Sequence, residues 1–192
     1  MNAAGRLLAA LACLLTAGCI STEIDEIPPS FETVRLLREQ DIPPLALGEF
    51  VPGPNAPGRS VNIRGSDMHA PKGSNFAQFL GANFESELKA AGKLDPGSTL
   101  RLSGVLKESH AGENLSSGKA WLAGEISLSQ NGRTIFTKSY RADSQWKSDF
   151  IGAIAIPDAF REYNALYALL VRQALGDPEF IAAAKSGLAP SP

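Results

Sequence analysis

The chain has 192 residues, 44% hydrophobic, 20% charged and 7% aromatic, with 18 Lys plus Arg against 20 Asp plus Glu. These values describe an ordinary globular domain and exclude a fibre, a disordered tail or a multi-span membrane protein. A formal net charge of -2 gives no cationic field for nucleic acid, and two Cys with two His are too few for a Cys/His zinc site or a disulfide framework.

The chain opens with Arg6 and then an apolar run over residues 7–17. At about 1.5 Å per residue that run spans only about 16 Å of a roughly 30 Å hydrocarbon core, so it suits a cleaved signal better than a permanent span. At its end, Leu15-Thr16-Ala17-Gly18-Cys19 resembles the lipobox of bacterial lipoproteins. The resemblance implies a signal peptide over 1–18, loss of Cys13 with it, and a diacylglyceryl group on the thiol of Cys19. The mature protein then has no free thiol, which removes cysteine catalysis and disulfides. Each buried CH₂ contributes roughly 0.8 kcal/mol, so two or three acyl chains hold the protein to a bilayer almost permanently. Ile20 rather than Asp after the cysteine implies, by the sorting rule of enteric bacteria, an outer-membrane destination facing the periplasm. The longest later apolar run, 150–156, is too short to span.

Taking Arg6 away leaves 17 basic against 20 acidic side chains. Over 19–58 come the lipidated Cys and seven of the 13 prolines, at 28, 29, 43, 44, 52, 54 and 57. Proline lacks an amide donor and biases its predecessor to extended backbone, so this stretch is expected as a tether with a reach on the order of 100 Å. Within it, residues 31–42 carry Phe31, Val34 and Leu37 among paired charges, a short helix or strand able to dock on the domain.

The globular domain is expected over 59–186, followed by a disordered tail over 187–192. Residues 60–64 alternate apolar and polar, a short strand. Ser74 then caps a helix whose Phe76, Phe79, Leu80, Phe84, Leu88 and Ala91 recur at three and four, and Gly92 ends it. Strands are expected over 99–106, 120–129 and 134–146. Asn131-Gly132 forms a type I′ hairpin between the last two, pairing Gln130 with Arg133, Leu128 with Ile135, and Glu125 with Lys138. Pro157 takes the first position of a helix carrying Phe160, Tyr163, Leu166, Tyr167, Leu170, Val171 and Ala174, closed by Gly176. Asp177-Pro178 opens a second helix to about Lys185. The order β-α-β-β-β-α-α predicts an α+β domain: an antiparallel sheet of about four strands with helices packed on one face.

The run Phe76-Ala77-Gln78-Phe79-Leu80, then Phe84, Glu87-Leu88 and Ala91-Gly92, the Asn-Gly meander and the closing 163–175 helix before Asp177 resemble small bacterial lipoproteins of the YajG-like type. More loosely, they resemble the auxiliary lipoproteins of ABC-type transport systems. The likeness covers roughly 59–185 and implies an envelope lipoprotein with a small α+β domain, whose only functional position to carry over is the lipid-bearing Cys19.

Enzymatic patterns are missing from the residues. There is no G-x-S-x-G pentad, no Walker loop and no dinucleotide fingerprint. His69 and His110 are expected in solvent-facing loops, and Glu85 and Glu87, two apart on a helix, on a solvated face. No catalytic residue, metal ligand or cofactor is therefore expected. Two segments are candidate partner sites. One is a polar loop over 107–119 carrying Glu108, His110, Glu113 and Asn114. The other is the apolar 148–157 stretch with Phe150, Ile151, Ile154 and Ile156, either buried beneath the last helix or lining a groove for a lipid tail or partner strand. The functional expectation is a non-catalytic, membrane-anchored periplasmic lipoprotein, an accessory or assembly factor with an envelope protein partner. The alternative is an auxiliary component of an envelope lipid or ABC-type transport system with a lipid ligand; an enzyme acting on cell-wall material comes third.

Overall fold

The computed structural model describes residues 21–187. The signal peptide over 1–18, Cys19 and the tail from 188 onward lie outside the described residues. Among the described residues the architecture is α+β, with two mixed sheets and four helices.

Strand β1 (Ser21–Glu23) is followed by helix α1 (Phe31–Glu39) and strand β2 (Ala46–Asn55). The proline-rich stretch is therefore no tether: it is built into the domain. Ser30 caps α1, accepting the Thr33 N–H, and Leu37 is fully buried against the core. β2 pairs in parallel with β5 (Leu100–Glu113) at the edge of the four-stranded sheet, where Pro52 and Pro54 are tolerated because a second neighbouring strand is not there to require their missing amides. The anchor is Phe50. Its ring packs on Phe84, tilted by 31° with centroids 5.3 Å apart, and lies over Gly81 and Gly104, where a Cβ would come within 2.9 and 2.6 Å of it. Only glycine at those two positions leaves the slot that Phe50 fills.

β3 (Ser60–Ile63) and β4 (Ser66–His69) form a hairpin that joins β1 in a separate three-stranded sheet, order β1-β4-β3, instead of extending the main one. Helix α2 (Phe76–Ala91) carries the expected apolar stripe, and Gly92 closes it at φ 71. Its cap, however, is Asn75, not Ser74. The Asn75 side chain accepts the Gln78 N–H at 2.9 Å and Gln78 Oε1 accepts the Asn75 N–H at 2.9 Å, a reciprocal pair that outcompetes a lone serine. Ser74 instead donates to the Pro71 carbonyl.

The main sheet, order β2-β5-β6-β7, continues with β6 (Ser117–Gln130) and β7 (Arg133–Lys147), antiparallel from β5 onward. β5 and β6 pair far beyond their predicted ends, down to Glu113 and Gly118, so the expected 107–119 loop shrinks to residues 114–116. Four hydrogen bonds to Asn114 Oδ1, from the amides and hydroxyls of Ser116 and Ser117, close that turn locally. At the other end Asn131 and Gly132 have φ of 52 and 80, as a type I′ turn requires, and Gln130 pairs with Arg133. The next expected pairs are displaced by one residue. Ser129 faces Thr134 but Leu128 faces Phe136, and Glu125 faces Ser139, because Ile135 is inserted as a bulge. The bulge turns Phe136 onto Phe180 and Lys138 onto the Asp177 and Glu179 carboxylates, at 2.7 and 3.0 Å.

Helix α3 (Gly152–Leu175) begins a turn and a half earlier than predicted and encloses Pro157. The missing amide deprives only one carbonyl, that of the exposed Ala153, of its partner, so water can serve it. Helix α4 (Pro178–Ser186) starts as expected, with Asp177 accepting the Glu179 N–H. α2, α3 and α4 cover one face of the main sheet. Gly124 at its centre lies under Leu170 and Leu80, and Tyr163, Tyr167, Phe76 and Phe84 fill the layer between.

Candidate functional site

Two regions concentrate chemistry. The first lies where the small sheet meets the β5–β6 turn. Arg64 takes the left-handed position (φ 51) of the β3–β4 turn, which aims its guanidinium out of the small sheet. Its Nη2 donates to the Asn114 carbonyl at 2.7 Å, its Nη1 to the Asp149 carbonyl at 3.1 Å, and its Nε lies 3.2 Å from Glu113 Oε2. Glu113 Oε1 in turn accepts from Trp146 Nε1 at 3.1 Å and Ser148 Oγ at 2.6 Å. The Glu113 side chain is fully buried and that of Arg64 is 15% exposed. A planar donor fork is what holds three acceptors at once. The Trp146 indole fits because it lies across Gly118, where a Cβ would stand 2.1 Å from the ring. Every group here is committed to another, so the cluster clasps three segments together and leaves no free acid or base.

The clasp sets the position of its apolar neighbours. Asn114 and Asp149 are held by one guanidinium, so Leu115 and Phe150, the residues next to them, emerge at the same end of the molecule, followed by Ile151 and Ile154. They are 64%, 75%, 56% and 48% exposed. The 148–157 stretch is thus largely exposed and not buried beneath the last helix: Ala155 is buried, Ile156 packs half-buried against the core, and Ser148 is buried at the clasp.

The second region is the face of the main sheet opposite α2, α3 and α4, on which no helix packs among the described residues. At its centre Trp121 of β6 stacks on His110 of β5, centroids 4.2 Å apart and planes 23° apart, with the Arg141 guanidinium 5.2 Å and the Lys119 ammonium 5.7 Å from the indole. Arg141 also pairs with Asp143 at 2.8 Å, and Lys107 pairs with Glu125 at 3.2 Å. His110, expected in a loop, therefore sits on a strand, and the extended pairing of β5 and β6 is what brings it to Trp121. An aromatic ring framed by cations on an open sheet is the composition in which interface binding energy concentrates. Sequence reasoning missed Trp121. Its place at the alternate position before Leu122 in a strand of period two was the signal available.

The remaining candidates do not converge. His69 ends β4, with its Nε2 3.1 Å from Ser21 Oγ. Glu85 stays exposed, but Glu87 is buried, where Oε1 accepts the Ser30 N–H at 2.8 Å and ties α1 to α2. Burial pushes the Glu87 carboxyl above its ordinary value, and the Ser30 bond only partly offsets this. Tyr163 and Tyr167 share a hydroxyl relay with Ser109 at 2.6 and 3.0 Å. Burial pushes the Tyr163 phenol up to about 12 and that of Tyr167 well above its usual range, so both remain neutral donors inside the core. Among the described residues no group of three or more His, Cys, Asp or Glu side chains could hold a metal ion, and no helix is long and apolar enough to cross a membrane.

No protein-family model and no curated protein sequence matches the chain. Among solved structures it is similar to a protein of the DUF330 family from Xanthomonas campestris, with 12% identity and a TM-score of 0.49 over 81% of this chain and 94% of that one. It is similar also to a candidate lipoprotein from Caulobacter crescentus (12% identity, TM-score 0.44, 80% and 96% of the two chains) and to a minor lipoprotein from Acinetobacter baumannii (12%, 0.40, 69% and 94%). Likenesses at this level establish neither a shared family nor a shared activity.

Proposed function

We propose that the chain is a lipid-anchored, non-catalytic protein of the bacterial envelope, held by Cys19 in the outer membrane on its periplasmic side, and that it serves as an accessory or assembly factor. The observation that carries this reading is Leu15-Thr16-Ala17-Gly18-Cys19, a lipobox-like sequence that ends two residues before β1 begins. The bare sheet face around Trp121 is the surface it would offer to an envelope protein, because a tryptophan flanked by Arg141 and Lys119 suits an acidic, partly apolar partner.

Metabolic labelling with radioactive palmitate tests the anchor: the protein takes up label, and Cys19→Ser abolishes uptake and moves the protein out of the outer-membrane fraction. An unlabelled protein, or a Cys19→Ser variant that fractionates as before, refutes the reading. Crosslinking in the native envelope tests the role, with Trp121→Ala expected to lose the crosslinked neighbour. An ABC permease among the neighbours, or phospholipid co-purifying with the protein, would turn the assignment towards an auxiliary transport component.

A further inference from the structure

Of the seven exposed large apolar side chains among the described residues, four (Leu115, Phe150, Ile151 and Ile154) stand at one end of the domain, while Phe31, Val51 and Ile135 are scattered on α1, β2 and the far hairpin. The clasp explains why the four are together: Arg64 binds the carbonyls of both Asn114 and Asp149, and the Ser148 amide donates to the Ser116 carbonyl. No fold requirement explains why they are apolar, since they contribute little to the core.

The course of β1 supplies the reason. Asn164 Nδ2 of α3 donates to the Asp25 carbonyl at 3.2 Å, and Thr22 and Glu23 line one cavity with Ile156, Pro157, Phe160 and Arg161. The segment from Thr22 to Asp25 thus runs alongside α3 in the same direction. Going back from Asp25 to Ser21 covers about 13 Å of extended chain, and the same distance along α3 from Asn164 reaches about residue 155. By this count Ser21 is about level with the first turn of α3. Cys19 is two residues further on, within about 7 Å of Ser21 along the chain. Because β1 is paired with β4 from Ser21 onward, there is no slack to add to that distance.

We infer that Leu115, Phe150, Ile151 and Ile154 form a membrane-docking surface that enters the interfacial layer of the bilayer carrying the acyl chains, so that the domain rests on the lipid with this end down. The inference deepens the lipoprotein reading and rests on it. A 7 Å leash is about the depth of one headgroup layer, which leaves the domain no room to stand clear. The end nearest the leash must meet lipid, and four bulky apolar side chains are what suits that contact. Lys119 and Lys147, exposed along the groove of about 720 Å³ beside the β5–β6 turn, are placed to face anionic headgroups.

The test uses the lipidated full-length protein in vesicles of phosphatidylethanolamine and phosphatidylglycerol, with or without nitroxide-bearing lipid. The variants Leu115→Cys, Ile154→Cys and Arg133→Cys each carry a polarity-sensitive dye on the new thiol; Arg133 sits about 45 Å away at the other end of β7. At 115 and 154 the dye emission shifts to the blue and is quenched by the nitroxide lipid, at 133 it does neither, and adding Phe150→Asp with Ile151→Asp abolishes quenching at 115. Protein that carries palmitate and stays on the vesicles, yet shows no more quenching at 115 and 154 than at 133, overturns the docking while leaving the anchor intact. A blue shift without lipid quenching overturns it too, because a second copy then covers the patch. Dye reacting with Cys19 itself in the unsubstituted protein removes the lipoprotein reading, and the proposal with it.

Discussion

Replacing Phe50 by alanine distinguishes a built-in β2 from a solvated linker. Phe50 is 6% exposed, packs on Phe84 at 5.3 Å, and occupies a slot floored by Gly81 and Gly104. Deleting a ring from such a site costs about 3–5 kcal/mol, the transfer energy plus a cavity that two glycines without side chains cannot refill. For a chain of this size each kcal/mol lowers the midpoint by about 2–4 °C, so thermal unfolding followed by circular dichroism should show a fall of roughly 10 °C. The partner change sharpens the test. Gly104→Ala places a methyl 2.6 Å from Phe50 Cε1 and overpacks the slot, costing about 1–3 kcal/mol. In the Phe50→Ala background the same methyl enters an empty cavity, so the double variant is more stable than the sum of the single ones predicts, with a coupling on the order of 1–3 kcal/mol. A midpoint unchanged by Phe50→Ala, or strictly additive effects, would refute the slot and with it the placement of β2.

Arg64→Ala strands the Glu113 carboxylate, whose side chain is fully buried, and should cost about 3–5 kcal/mol in the same melting assay. Adding Glu113→Gln should return part of that loss, whereas a surface ion pair would give almost no change in either variant. Glu87 provides a dependence on pH. Its carboxyl titrates higher in the folded chain than at the unfolded value of 4.5, so the charged form burdens the fold at neutral pH and the burden lifts as pH falls through the folded value towards 4.5. Glu87→Gln keeps an oxygen for the Ser30 amide and should raise the melting midpoint at neutral pH, with the gain vanishing in acid; a gain that is the same at every pH would show that burial of the charge is not its cause.

Local chemistry was legible wherever it acts within a few residues. The α2 stripe ending at Gly92, the positive φ of Asn131 and Gly132, and the Asp177-Pro178 start of α4 were all readable because periodicity, glycine and capping act without help from distant chain. The α+β class followed from them. The proline-rich segment was misread because proline reports only what it denies its own backbone. That Pro52 and Pro54 lie on an edge strand, and that Phe50 has a slot waiting in Gly81 and Gly104, depends on elements more than 25 residues away. The bulge at Ile135 escaped for a similar reason: turn chemistry sets the first pairs of the hairpin, but the pull of Phe136 towards Phe180 and of Lys138 towards Asp177 comes from α4.

The same division runs through the functional surfaces. The address proposed at Cys19 rests on the resemblance of residues 15–19 to a lipobox, a pattern that involves no contact between distant residues. The grouping of Leu115 with Phe150, Ile151 and Ile154, and of Trp121 with His110 and Arg141, exists only once strands separated in the chain lie side by side. The amino-acid order determined which side chains are apolar and where helices and turns start; tertiary structure decided which of them share a surface, because a surface is a set of distances through space and the chain specifies only distances along itself.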